Sequence, residues 1–512
     1  MENNLNSIVD SKYCKYKKLD KFICSSAYIY LAFPIVLLIM FWFKIYIAIP
    51  AILAIIIALV LSLKNFKYKT VEEYQKIFNK KYIAIIFLII LFLNILSGAG
   101  GIFYQNWDYK GRNAIFHDLI DRDWPVKYDY SKLEYEKGRI ESETGVLSYY
   151  FAYWLPGALV GKVLGFKIAS IFMLMWQIIG TTLFFYLVFR KLNNIKIKYL
   201  LVFVAFGGLD IITQLIVCLI NGQPVDLIGV IHIDTANGNY CMSTFITQLF
   251  WVFNQSIPAW IATMLMVNEE KFENLGVILA LLVPYSPFPV LGLAIWMAIT
   301  VLFGYNLEKI INVDRIKKVL SIQNIITILA IIPIGLLFLQ NSSEKGLVLI
   351  RALKNGNLGR SILMYVLYLI LEFGIYAVII NKENRRRVLA YFGIFAILPL
   401  FYLGTGLDLG NRATIPILVL LYVEILKFMD SNDNKKRIYC LYFILLVAFG
   451  TNFNEFYRSF KYTFKNLISH TTNFNDSYFT FSEFEGKECD NFIKNFVAPY
   501  DEDNIFFTRI LK

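Results

Sequence analysis

Cysteine is scarce in this chain of 512 residues. There are six, Cys14, Cys24, Cys218, Cys241, Cys440 and Cys489, and none stands at a metal-ligand spacing from another. Four lie in or beside apolar runs, where a thiol behaves as a small hydrophobe, so nothing points to a cysteine-built metal centre. Phosphate-binding fingerprints are missing as well: there is no Walker A motif, no dinucleotide-binding glycine pattern and no internal repeat. Charge is thin, at 17% of residues, and acids are outnumbered, with 38 Asp and Glu against 50 Lys and Arg. The resulting net charge of +12 does not imply a nucleic-acid partner. The basic residues stand mainly between apolar runs, where membrane orientation places them. The first 25 residues are polar and lysine-bearing and lack an early apolar core, so no cleavable signal is expected.

Hydrocarbon-compatible sequence is abundant. Apolar residues make up 57% of the chain, mean hydropathy is +0.55, and apolar runs recur from Ala27 to Phe449. In lipid every backbone polar group must be satisfied internally, which leaves helices and closed barrels, and these runs are too long and continuous for barrel strands. An all-α polytopic membrane protein follows, set in a lipid bilayer. Richness in Ile, Asn, Lys, Phe and Tyr suggests an AT-rich bacterial genome, hence a bacterial plasma membrane.

Spans are expected near 26–44, 45–63, 82–97, 167–189, 199–220, 244–267, 323–340, 361–380, 388–405, 412–428 and 438–451. These make about eleven transmembrane helices. Two further apolar stretches, 146–165 and 274–304, are settled by charge. Lys and Arg number five in the N-terminal tail, six in 64–81, and four each in 190–198, 305–322, 381–387 and 427–437. All these segments share one side only if 146–165 does not cross and 274–304 enters and returns. The first carries Tyr149, Tyr150, Phe151, Tyr153, Trp154 and Pro156, suited to the headgroup region. The second is broken by Pro284-Tyr285-Ser286-Pro287-Phe288-Pro289, which favours a re-entrant tip or short helical hairpin.

The positive-inside rule then makes the N-terminus cytoplasmic and the C-terminus extracytoplasmic. One loop dissents, since 341–360 carries Lys345, Arg351, Lys354 and Arg360 on the outer side. The chain accordingly divides into a basic cytoplasmic tail (1–25), an N-terminal hairpin with its cytoplasmic loop (26–81), a main membrane domain (82–451) and an external tail (452–512). Within the main domain, 98–166 forms a large external loop with interfacial helices.

The core of that loop, 98–145, holds nine acidic and seven basic residues. Ile115, Phe116, Leu119 and Ile120 form one helical face and Asn113, His117, Asp118 and Asp121 the other, so a short amphipathic helix is expected flat on the outer leaflet. Asp108 stands about ten residues past a span between Trp107 and Tyr109; a carboxylate shielded there by aromatics can serve as general base. A solvated loop aspartate is the plainer reading. His117, Asp118, Asp121 and Asp123 can hold a divalent cation, the one cofactor these residues suggest, or steer a phosphate, beside Lys110. The plainer reading is a solvated helix face.

Arg412, in Asp408-Leu409-Gly410-Asn411-Arg412, stands where the outer leaflet meets a span. It can clamp a lipid phosphate bidentately, with Gly404, Gly406 and Gly410 permitting close backbone approach; topology-setting is the alternative. His232 and Asp234 lie in an external loop, 221–243, without Lys or Arg, which frames a substrate entrance or merely connects two spans. Gln248, Asn254 and Gln255 fall inside 244–267, where they line a cavity with Trp251 and Trp260 or hydrogen-bond between helices.

Trp107-Asp108 close after a span, the amphipathic helix, Asp123-Trp124-Pro125, and Tyr149-Tyr150-Phe151-Ala152-Tyr153-Trp154-Leu155-Pro156 before a long helix resemble the first external loop of GT-C fold glycosyltransferases. The resemblance covers about 82–190 and, more loosely, the proline-broken helix and Arg412. It departs from the family where an acidic pair often opens the loop, since Tyr109 and Lys110 follow Asp108, and in the two spans that precede the family's usual first helix. It implies a polyprenyl-phosphate-linked sugar donor, a glycan, lipid or protein acceptor, and inverting transfer outside the membrane. Asp108 would be the base, with Arg412 and either Lys110 or His117 on the phosphate. Two rivals stand beside this reading. One is a polysaccharide polymerase or ligase of another fold, led by external arginines. The other is a lipid-linked sugar transporter or flippase, for which Glu372 in mid-span is the main sign.

Overall fold

The computed structural model describes residues 2–64, 66–129, 144–225, 227–229, 233–235, 240–307, 311–340, 347–349, 358–380, 382–403, 408–431, 434–477, 479–481 and 496–512. The chain opens with α1 (Glu2–Trp42), α2 (Ile45–Ser62), α3 (Val71–Ile77) and α4 (Lys80–Leu96). The first long loop holds α5 (Tyr109–Asp121), and α6 (Leu155–Leu192) follows it. Three pairs separated by short breaks come next: α7 (Ile197–Ala205) with α8 (Asp210–Asn221), α9 (Phe245–Trp251) with α10 (Phe253–Glu269), and α11 (Leu275–Leu282) with α12 (Pro287–Phe303). Then come α13 (Val313–Val319), α14 (Ile322–Leu339), and α15 (Leu358–Tyr368), which runs through a π-turn (Leu369–Gly374) into α16 (Ile375–Ile379). The described helices end with α17 (Lys382–Ile397), α18 (Asp408–Ala413), α19 (Ile415–Ser431) and α20 (Lys435–Ile468).

The chain is an all-α, multi-pass membrane protein. Among the described residues, seven helices are long and apolar enough to cross a bilayer: Lys12–Trp42, Ile45–Ser62, Ala152–Leu192, Ile197–Asn221, Ile322–Leu339, Leu358–Ile379 and Lys435–Ile468. An eighth is reached if α3 and α4, bent by 43°, form one span. This is fewer than the eleven expected, because several apolar runs are cut into shorter pieces. The run 244–267 breaks at Val252, 412–428 at Thr414, and 388–405 leaves its helix at Ile397. The proline-rich stretch breaks at Ser286, between α11 and α12.

Burial follows the bilayer logic in reverse. Outward positions of α2, Ile49, Leu53, Ile56, Ile57 and Val60, are exposed, an apolar stripe for lipid to cover. Inward, Phe184 of α6, Phe203 of α7, Phe245 of α9 and Trp260 of α10 form one aromatic cluster with Tyr422 of α19. At the first turns of α6, Gly157 and Gly161 let α5 approach, since added Cβ atoms would sit 3.1 Å from Phe116 and 2.6 Å from Ile120. Gly165, at φ 79° and ψ 169°, then interrupts α6 after its first turns.

Three short strands, β1 (Lys127–Asp129), β2 (Thr144–Leu147) and, further on, β5 (Val497–Pro499), form an antiparallel sheet in the order β1-β2-β5. It joins the chain's end to the first long loop, so both lie on one side. A second pair, β3 (Leu347–Leu349) with β4 (Phe401–Leu403), is antiparallel too. The final residues return to α1, with the Lys512 amide donating to the Trp42 carbonyl at 2.8 Å.

The expected surface helix is enclosed on both faces as far as Ile120, and Asp121 at its end is exposed. Asn113, His117 and Asp118 of α5 are as buried as Ile115 and Leu119. The segment after α20 covers the polar face: Thr480 Oγ1 donates to Asp118 at 2.6 Å and the Phe481 amide at 2.8 Å. Periodicity identifies two faces of a helix but not what covers each.

Candidate functional site

Asp108 caps the start of α5 in position only, for its side chain makes no capping bond. Its carboxylate turns one helical turn along to Arg112, with Oδ2 2.8 Å from Nη2. The same Arg112 nitrogen donates to the Trp251 carbonyl, freed by the break between α9 and α10. Asn106 works in parallel, donating to the Phe250 carbonyl at 2.8 Å while accepting from the Asp108 amide at 3.1 Å. The unwound turn at Val252 thus has its backbone acceptors satisfied by the first loop, as a break in a low-dielectric interior requires. Arg112 also lies over the rings of Tyr109 and Phe253, and its Nη1 is buried with no hydrogen-bond partner among the described residues.

Arg412 reaches the same place from α18. It pairs with Asp408 at 3.0 Å and donates from Nη1 to Tyr150 Oη at 3.3 Å. Close backbone packing sets its position: an added Cβ would lie 2.9 Å from Pro399 at Gly410 and 1.8 Å from the Ala413 carbonyl at Gly292 of α12. Asp108 lies within electrostatic reach of Arg412, and Tyr150 is faced by both Arg412 and Arg112. Burial raises the Tyr150 phenol above its ordinary range, with the Arg412 guanidinium working the other way, so the hydroxyl is a neutral donor and acceptor. Tyr149, tilted against Tyr150 and stacked on Phe496, backs this wall. Asp108 and Arg412 keep 29% and 16% of their side-chain surface exposed, so both can be reached.

The remaining sequence candidates lie apart. His117 stacks between Phe166 and Phe479 and faces Asp476 at 3.3 Å. Asp118 accepts from Arg122, Tyr128, Thr480 and the Phe481 amide. Both hold the loop to the C-terminal segment. Among the described residues no three His, Cys, Asp or Glu side chains converge as a metal site, so the suggested divalent cation has no cluster there. Lys110 lies against the Trp107 ring. Gln255 is buried just past the Val252 break with Oε1 unpartnered, as is Asn254 Oδ1. Gln248 bridges Trp260 and the Ser243 carbonyl. His232 lies outside the described residues.

Arg112 and Tyr150 were not singled out by sequence reasoning. The signal for Arg112 was present, since it stands four residues after Asp108 in a helical segment, the spacing of an ion pair. Compared with known proteins, the chain matches no family model, no curated protein and no solved structure.

Proposed function

We propose that the chain is a membrane glycosyltransferase of GT-C type that moves a sugar from a polyprenyl-phosphate donor to a cell-envelope acceptor on the outer face of a bacterial plasma membrane. One observation carries the reading: two carboxylate–arginine pairs, Asp108 with Arg112 and Asp408 with Arg412, flank a single tyrosine, Tyr150. Asp108 serves as base for the acceptor hydroxyl. Arg412, exchanging Asp408 for a donor phosphate, stabilises the charge that develops on the leaving group. A preorganised cation is effective here because little water screens it. Arg112, with its unpartnered Nη1, is a second donor to that phosphate. In-line attack inverts the anomeric centre.

The test is transfer from radiolabelled polyprenyl-phosphate sugars in membranes carrying Asp108→Asn or Arg412→Ala. Unchanged transfer by the Asp108 variant removes it as base. Transport of a lipid-linked sugar is the second reading, favoured by Glu372 at a π-turn inside a span. Substrate flux in proteoliposomes without any transfer would select it.

A further inference from the structure

Two spans are interrupted where they meet each other. Between α7 and α8 the helix opens at Phe206-Gly207-Gly208-Leu209, and opposite it the helix from α15 to α16 swells into the π-turn Leu369–Gly374. The two irregular turns are joined directly, the Leu209 amide donating to the Leu371 carbonyl at 3.1 Å. Backbone groups freed by the opening are satisfied by side chains. Asn452 donates to the carbonyls of Val204 at 2.7 Å and Phe206 at 3.4 Å, and Tyr376 Oη to that of Gly207 at 2.7 Å. Both breaks are therefore built features, and π-turns inside helices are frequent at functional sites.

Each break presents a carboxyl. Asp210 heads α8 and Glu372 sits in the π-turn; they are 1% and 3% exposed. Glu372 lies over Gly208, where an added Cβ would be 1.4 Å from its Oε2, so glycine is what lets the carboxyl approach the opened helix. Asp210 has donors suited to an ionised group: its place in the first turn of α8, and Thr451 Oγ1 at 2.8 Å. Glu372 Oε2 has no donor among the described residues. The titratable group it faces most closely is the other carboxyl, Asp210. Two carboxyl groups can share a hydrogen bond only when one carries a proton.

We infer that Asp210 and Glu372 form a proton-binding site within the membrane domain, with Glu372 as the protonated donor to the Asp210 carboxylate. Binding forms the O–H bond of Glu372 and leaves the pair with one negative charge; release passes the proton to water and leaves two adjacent carboxylates. Their repulsion then acts across the contact between the two broken spans, which makes the packing of these helices sensitive to the proton. Asp234 adds a third acidic group, held by Ser243 Oγ at 3.0 Å, and Cys241, Tyr368 and Tyr376 also face the pair. This site is separate from the Asp108–Arg412 cluster and does not depend on the reading given for it.

The test is infrared spectroscopy of the purified full chain in nanodiscs at pH 7, where an ordinary glutamate, titrating near about 4.3, is ionised. A neutral-carboxyl band is expected in the wild type. It should move on isotopic labelling of glutamate, disappear in Glu372→Gln, and shift in Asp210→Asn as its hydrogen-bond acceptor changes. Glutamate labelling separates the band from aspartates, and its shift in Asp210→Asn assigns it to the carboxyl beside Asp210 rather than to another glutamate such as Glu269, which burial also pushes up, even if Glu372→Gln fails to fold. Absence of the band, or its insensitivity to glutamate labelling, overturns the proposal. So does thermal stabilisation by sodium ion that requires both carboxyls, since that would assign the pair to a metal cation.

Discussion

Arg112 Nη2 lies 2.8 Å from Asp108 Oδ2 and bonds at the same time to the carbonyl of Trp251. One guanidinium therefore orients the loop carboxylate and closes the backbone gap where α9 gives way to α10. The loop and the membrane domain meet at this residue, which is why the position of Asp108 depends on a break in a distant helix.

Arg112→Ala removes the donor from both groups, and a buried acceptor left unpaired costs about 1–3 kcal/mol. The expected result is a lower Tm in detergent than for the wild type. Arg112→Lys keeps charge but not the planar fork, and should fall between the two. Equal melting of all three proteins would show that the bridge does not matter.

Asp108→Asn and Arg412→Ala should separate kinetically if transfer is the activity. Loss of a general base costs about 10²–10⁴-fold in turnover. Loss of a charge-stabilising donor costs about 10²–10³-fold, and Arg412→Ala should also raise KM for the donor because ground-state phosphate binding is weakened. Steady-state rates against donor concentration check both.

Asp20→Ala strikes a fully buried charge held by several partners. Asp20 accepts from Tyr74 and Tyr186 at 2.7 Å and pairs with Arg190 at 2.8 Å, while Arg190 also donates to the Lys67 carbonyl. Breaking a buried pair by removing one partner costs about 3–5 kcal/mol. The protein should unfold at markedly lower temperature, and the double variant with Arg190→Ala should be less destabilised than the sum of the two.

His117→Ala and Asp118→Ala should leave transfer largely intact while loosening the segment after α20. Asp118 receives Thr480 Oγ1 and the Phe481 amide, so its loss should expose more of that segment than loss of His117, which faces Asp476 and stacks on Phe479. Limited proteolysis near Thr471–Phe481 provides the readout. Loss of transfer without faster cleavage would return both residues to the substrate site.

The loop, its helix and the candidate base were legible in the sequence because they are local features. An apolar run ends, a polar stretch begins, and a 3.6-residue period follows over 113–121. The covering of α5 was not legible, because the residues that bury His117 and Asp118 lie some 360 positions later, as the pairs Arg122–Thr480 and Asp118–Phe481 show. Nor was the break at Val252. No proline marks it, and it is stable because Asn106 and Arg112 supply its missing donors.

Membrane class and the placement of an aqueous loop beside helices were determined by the sequence alone, since transfer of a segment into hydrocarbon depends mainly on its own composition. The partner of each charge was decided only by the tertiary structure. Asp108 is tied to Arg112 and lies near Arg412, and Glu372 rests on Gly208 against Asp210, because chain segments far apart in order pack at one point. In a low-dielectric interior each such group must find its donor there or hold a proton, and composition carries no record of which.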